Sequence, residues 1–213
     1  AVLSLALTSP GERVLVESPT YPNATDALRH AGARLVAAPV DPEGWDLDAI
    51  GATLRQSAPR LAYLVPDFQN PTGHLMTDAQ REELATHLRR TRTTAVVDEA
   101  HQALALEGQE MPRPFAAFAP DTITIGSASK SFWGGLRLGW IRAPHGAMER
   151  LTRARVSLDL GAPVLEQLVL VRLLADPGEV LAANRARVRE QRDALVAAVR
   201  ASLPEWSFHT PAG

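Results

Sequence analysis

The chain contains no cysteine, which excludes disulfides and thiolate-held metals from its stability and its chemistry. No apolar run approaches the roughly 18 residues of a membrane-spanning helix. No signal-peptide pattern is visible, so a cytoplasmic protein is expected. The charge excess is slight, a formal −2, which argues against these residues being a nucleic-acid-binding surface. There is no internal repeat and no low-complexity tract. His74, His87 and His145 stand at no metal-ligand spacing with one another or with nearby carboxylates, so no metal is expected. Lysine is almost absent as well: of the 22 basic residues one is a lysine, Lys130, leaving 21 arginines. A guanidinium is permanently protonated and forms no imine with a carbonyl. A primary amine is what a Schiff-base nucleophile requires. The one lysine stands in Gly126-Ser127-Ala128-Ser129-Lys130, among small hydroxyl residues.

What is present is ordinary for a globular protein: 213 residues, 46% hydrophobic and 22% charged, enough for one domain with an attached segment. Ala1–Leu7 reads as the later part of an apolar helix, without an initiator methionine. Trp206–Thr210 reads as a strand just beginning before Pro211-Ala212-Gly213. The expectation is the middle part of a longer polypeptide.

Short β-rich runs alternate with helical ones. Strands are predicted at 13–17, 34–38, 61–65, 94–97, 122–125 and 139–143. A helix is predicted over 23–31, and Asp46 caps another that runs to about Ser57. Thr77-Asp78-Ala79-Gln80 has the capping-box pattern and opens a helix to about Arg90. From Pro144 the chain is almost wholly helical, ending in a long arginine-rich amphipathic segment over 179–201. Its Arg185, Arg187, Arg189 and Arg192 alternate with Glu190 and Asp193 and read as a solvated face. Strands separated by helices predict an α/β domain with a mostly parallel sheet, whose ligand lies beyond the carboxyl ends of the strands.

That edge is where the unusual residues gather. Tyr21, in Ser18-Pro19-Thr20-Tyr21-Pro22, follows the first strand. Asn70, in Asn70-Pro71-Thr72-Gly73, follows the third. Asp98 directly follows the fourth, and Lys130 lies a few residues beyond the fifth. An aromatic ring, an amide, a carboxylate and an amine therefore share one rim. An aldehyde-bearing pyridine would need such a set.

Ser18–Pro22, Asn70–Gly73, Asp98-Glu99-Ala100, Gly126–Lys130 and Arg137-Leu138-Gly139-Trp140 together resemble the large domain of fold type I pyridoxal phosphate enzymes, specifically class I/II aminotransferases. The resemblance covers nearly the whole chain and implies a three-layer α/β/α fold. The runs Pro66–Gly73 and Ser129–Trp140 are similar to those of MocR-type regulators, which join a GntR-type winged helix to an aminotransferase-like sensor domain. On this resemblance residues 1–175 are the cofactor-binding large domain. Residues 176–213 are a connecting helix and the start of a small C-terminal domain, and any DNA-binding domain lies upstream of Ala1.

The resemblance also implies roles. Lys130 forms the Schiff base with pyridoxal 5′-phosphate and shuttles the proton. Asp98 pairs with the pyridine nitrogen, Asn70 donates to the ring 3′-oxygen, and Tyr21 stacks on the ring. Arg137, with the Ser127 and Ser129 hydroxyls, binds the phosphate. His101 stands where these enzymes commonly carry a tyrosine that bonds the same 3′-oxygen. Imidazole makes a similar bond but changes charge near neutral pH, which fits a sensor better than an efficient catalyst. The implied partners are a small amino compound and a second copy of the chain, with a free-standing aminotransferase as the alternative reading. The family's phosphate-cradling loop falls ahead of Ala1 and its substrate-carboxylate arginine beyond Gly213, so these residues do not identify the substrate.

Overall fold

The structure, a computed structural model, describes residues 1–159 and 161–213. Its strands are β1 (Arg13–Ser18), β2 (Arg34–Asp41), β3 (Gly44–Trp45), β4 (Leu61–Leu64), β5 (Thr94–Asp98), β6 (Ile123–Ser127) and β7 (Gly139–Arg142). Its helices are α1 (Val2–Leu7), α2 (Pro22–His30), α3 (Leu47–Ser57), α4 (Asp78–Thr91), the four-residue α5 (Ala128–Ser131), α6 (His145–Val156), α7 (Val164–Ala175) and α8 (Gly178–Ser202). The strands form one sheet in the order β3-β2-β1-β4-β5-β6-β7. The five central strands are parallel, and antiparallel β3 and β7 close the two edges. The order runs outward from β1 in both directions, which leaves a crevice between the ends of β1 and β4.

Both faces are covered, as near-continuous apolar strands require. Successive residues of a strand point to opposite faces. Leu15, Ala62, Leu64, Ala95 and Val97 therefore pack with Ile50, Leu54, Leu84 and Leu88 of α3 and α4. Their neighbours Val14, Val16, Leu61, Tyr63, Val96 and Ile123 pack with Ala6, Leu28 and Leu151 of α1, α2 and α6. These two cores with the sheet between them make the expected three-layer α/β/α arrangement. A third, smaller cluster of Ala128, Leu136 and Leu138 leans on Leu170 and Leu173 of α7.

The helix starts are those that the caps predict. Asp46 Oδ1 accepts from Ala49 N at 2.9 Å. Thr77 and Gln80 complete a reciprocal capping box. No helix among the described residues is long and apolar enough to cross a membrane.

Three features differ from the sequence reading. β3 has only two residues, too few to show alternation. Residues 206–213 form no strand, because the backbone they meet is loop and side chain: Leu106 N and Gln109 Nε2 donate to Ala212 O, and Arg192 donates to Pro211 O. The arginines of α8 are not all solvated either. Arg185 donates to Ala103 O at 2.6 Å, and the Arg192 side chain, 12% exposed, pairs with Glu107. Only Arg187 of the four keeps the exposed position expected of it throughout.

The loop after β4 is anchored by a fully buried ion pair. Arg81 Nη2 donates to Asp67 Oδ1 at 2.6 Å, both side chains being 0% exposed. Arg81 also donates to Met76 O and Arg113 O. Arg81→Met removes the charge that offsets a buried carboxylate. Urea unfolding should show a loss of about 3–5 kcal/mol.

Candidate functional site

Strand parity assembles the site. Tyr63, Val96, Asp98, Ile125 and Ser127 alternate onto the same face as the α1/α2/α6 core. The β4–β5 and β5–β6 registers bring them abreast at the carboxyl edge. A cavity of about 190 Å³ opens there, lined by Tyr21, Tyr63, Asn70, Asp98, His101, Ser127 and Lys130 among others. Six of the eight residues expected from the sequence are thus in one cavity. Ser129 and Arg137 are outside its lining. Arg137 stands beside the start of α5, since the Ala128 N–H donates to Leu138 O at 3.0 Å, and its side chain is exposed. A larger cavity of about 260 Å³ between α1, α2 and the sheet is walled mainly by aliphatic side chains and offers no such polar set.

Each polar group has a defined setting. Asp98 Oδ2 accepts from the Tyr63 hydroxyl at 2.8 Å, and its Oδ1 accepts from Ala100 N at 3.0 Å. The carboxylate is held from two sides. Burial, with the neighbouring Asp98 carboxylate, pushes the Tyr63 phenol well above its usual range, so Tyr63 remains a donor. Burial holds the His101 imidazole below its usual value; Lys130 lowers it further, and Asp98 and Asp67 oppose. His101 Nδ1 is buried and has no hydrogen-bond partner among the described residues. Ser127 Oγ accepts from Ser129 N at 3.2 Å as the cap of α5, which leaves its hydroxyl proton free to donate. Tyr21, 37% exposed, stands at the mouth as the cap residue of α2.

The sequence matches the family described as aminotransferase class I and II over residues 1–213. The chain belongs to this family. It is 34% identical over 200 residues to a 2-aminoadipate transaminase of Thermus thermophilus, which covers 92% of this chain and 50% of that protein. It is 29% identical over 199 residues to the HTH-type transcriptional regulator YisV of Bacillus subtilis, covering 92% of this chain and 41% of that one. Among solved structures, LysN, the α-aminoadipate aminotransferase of Thermus thermophilus complexed with N-(5′-phosphopyridoxyl)-L-leucine, superposes with a TM-score of 0.93 at 31% identity. It covers 100% of this chain and 56% of that one. The chain spans about half the length of the curated relatives it matches.

Pyridoxal phosphate is the cofactor of this aminotransferase family, and the residues present fit its ring. The cavity joins an amine, a carboxylate, an amide, a partly exposed phenol and a buried imidazole nitrogen with no partner among the described residues.

Two contributors escape a reading of the aminotransferase motifs. Tyr63 alternates with Leu61 and Val65 and reads as core; its hydroxyl partner is 35 residues away. Glu17 is a charged residue at an inward position of an apolar strand, and that parity was the available signal. It is 1% exposed. Its carboxylate accepts from Trp45 Nε1 at 2.8 Å, Val65 N at 3.2 Å and Gln69 Nε2 at 3.1 Å. Gln69 also donates to Pro19 O at 2.8 Å and accepts from Thr72. One carboxylate thereby ties the turn before Tyr21 to the loop that carries Asn70.

Burial pushes the Glu17 carboxyl up to about 7 from 4.5, against the pull of its Gln69, Trp45 and Val65 donors. The folded chain then binds more protons than the unfolded one between those values. The Glu17 contribution is full below about pH 4.5 and is lost as pH rises through about 7. Measured against Glu17→Gln, which does not titrate, wild-type stability should fall by roughly 3 kcal/mol from pH 4.5 to above 7. A pH-independent difference between the two denaturation curves would refute this.

Proposed function

We propose that the cavity at the ends of β4, β5 and β6 is a pyridoxal phosphate site on Lys130, in an aminotransferase-like domain that senses an amino compound for a MocR-type transcriptional regulator. The observation that carries the site is the convergence of Lys130 from α5, Asp98 from the end of β5 and Asn70 from the loop after β4 on one cavity. The bound pyridine ring supplies the electron sink for the pair released at a substrate's α-carbon. Everything else falls to the chain. The Lys130 amine would be the group that anchors the cofactor and, when free, the base that carries a substrate's α-proton. Asp98, aimed by Tyr63 and the Ala100 N–H, holds the proton on the ring nitrogen. Asn70 and His101 donate to the ring oxygen. Tyr21 covers the ring face. Ser127, Ser129 and Arg137 take the phosphate, Arg137 as a planar fork for a dianion.

The regulator reading is supported by likeness to YisV and to YdfD of the same organism and by His101 at the position commonly held by tyrosine. The 34% identity to a transaminase favours the second reading, a free-standing aminotransferase acting between an amino acid and a 2-oxo acid. In either case the expected partners are a small amino compound and a second copy of the chain. Contact with DNA would be made by a different domain. Repeated transfer of amino groups to a 2-oxo acid separates the two readings: an enzyme turns over many times, a sensor forms its adduct and stops.

Pyridoxal phosphate followed by borohydride should leave a stable mass increment on the peptide containing Lys130. Lys130→Ala should lose the increment and keep its fold by circular dichroism. With a single lysine, an adduct that persists in Lys130→Ala would exclude the assignment.

A further inference from the structure

If Lys130 is the cofactor amine, as proposed above, its direction has to be set by something other than its own contacts. Its side chain is exposed, and among the described residues no side chain bonds its ammonium. What remains is the backbone of α5. A helix of four residues leaves its last carbonyls without helical N–H partners. Phe132 N donates to Ala128 O at 3.0 Å. Lys130 O and Ser131 O are met from outside, by Asn184 on α8. Its Nδ2 donates to the first at 3.1 Å and to the second at 3.2 Å. The amide is fixed in that sense because its Oδ1 accepts from the Arg187 guanidinium. The adjacent Arg185 donates to Ala103 O at 2.6 Å, in the segment just after His101. Two turns further along, Arg192 pairs with Glu107 at the far end of the same segment.

We infer that Asn184 is a positioning residue for Lys130. By capping both carbonyls it fixes the backbone from which the lysine projects. With Arg185 it makes α8 the element that spaces the amine-bearing turn from the segment carrying His101. The side chain is only half-buried, so water can replace its bonds in the cofactor-free chain, and the global fold does not depend on it.

The test uses the full chain, titrated with pyridoxal phosphate and followed by visible absorbance and visible circular dichroism. An achiral chromophore shows circular dichroism only when it is held asymmetrically. Asn184→Leu should weaken cofactor binding about tenfold, the equivalent of one to two net hydrogen bonds. It should lower the visible dichroism per bound cofactor and leave the melting of the cofactor-free chain unchanged. Asn184→Gln keeps the donor and should restore most of both signals. Wild-type affinity and dichroism in Asn184→Leu would overturn the inference. So would losses matched by a lower melting temperature of the cofactor-free chain and not restored by glutamine. A wild-type chain that takes no cofactor on Lys130 overturns the underlying site assignment, and this inference with it.

Discussion

The buried carboxylate of Glu17 is the constraint on which the rim of the sheet depends. A carboxylate removed from water is tolerated only where hydrogen bonds replace its hydration. The three donors that do so come from the β3 edge strand, the end of β4 and the loop beyond it. Satisfying one group therefore fixes the geometry of three segments. The crevice between β1 and β4 gains its shape from that demand, and Gln69 passes it on to the turn before Tyr21. The Asp67–Arg81 pair does a similar service on the outer side of the same loop. Two buried carboxyl groups, each engaged on at least one oxygen, thus hold a loop that has no regular structure of its own.

Much of this was legible in the sequence. Short β-rich runs set between helical ones located every central strand, and the capping residues Asp46 and Thr77 placed the starts of α3 and α4. The sharing of one rim by Tyr21, Asn70, Asp98 and Lys130 followed from where a parallel sheet presents its carboxyl ends, and the resemblance to aminotransferases added His101 and Ser127. The illegible part is long-range. A tyrosine in an apolar strand looks like core until its hydroxyl is seen on a carboxylate of the neighbouring strand. Arg185 and Arg192 look solvated because helical periodicity says which face they share, and not what that face meets. Asn184 carried no signal at all, since its partners are main-chain carbonyls and any sequence supplies those. Trp206–Thr210 had the composition of a strand but found no strand to pair with.

The division of labour across the sheet is also informative. Odd-numbered Leu15 and Glu17 face α3 and α4, and the structural carboxylate lies on that side. Even-numbered Val96 and Asp98 face the other core, and the carboxylate available to a ligand lies there. The same residue type at two strand ends thus serves two purposes. Parity, and not local composition, decides which.

Counting by twos has a consequence for how such a domain can change over time. A substitution in β4, β5 or β6 alters one side chain and leaves the rest of its strand in place. Gain or loss of a single residue within one of these strands would turn every later side chain to the opposite face, sending Tyr63, Asp98 or Ser127 into the α3/α4 core. On this ground length changes should be tolerated in the connecting loops and not within these strands, whatever substitutions their residues accept.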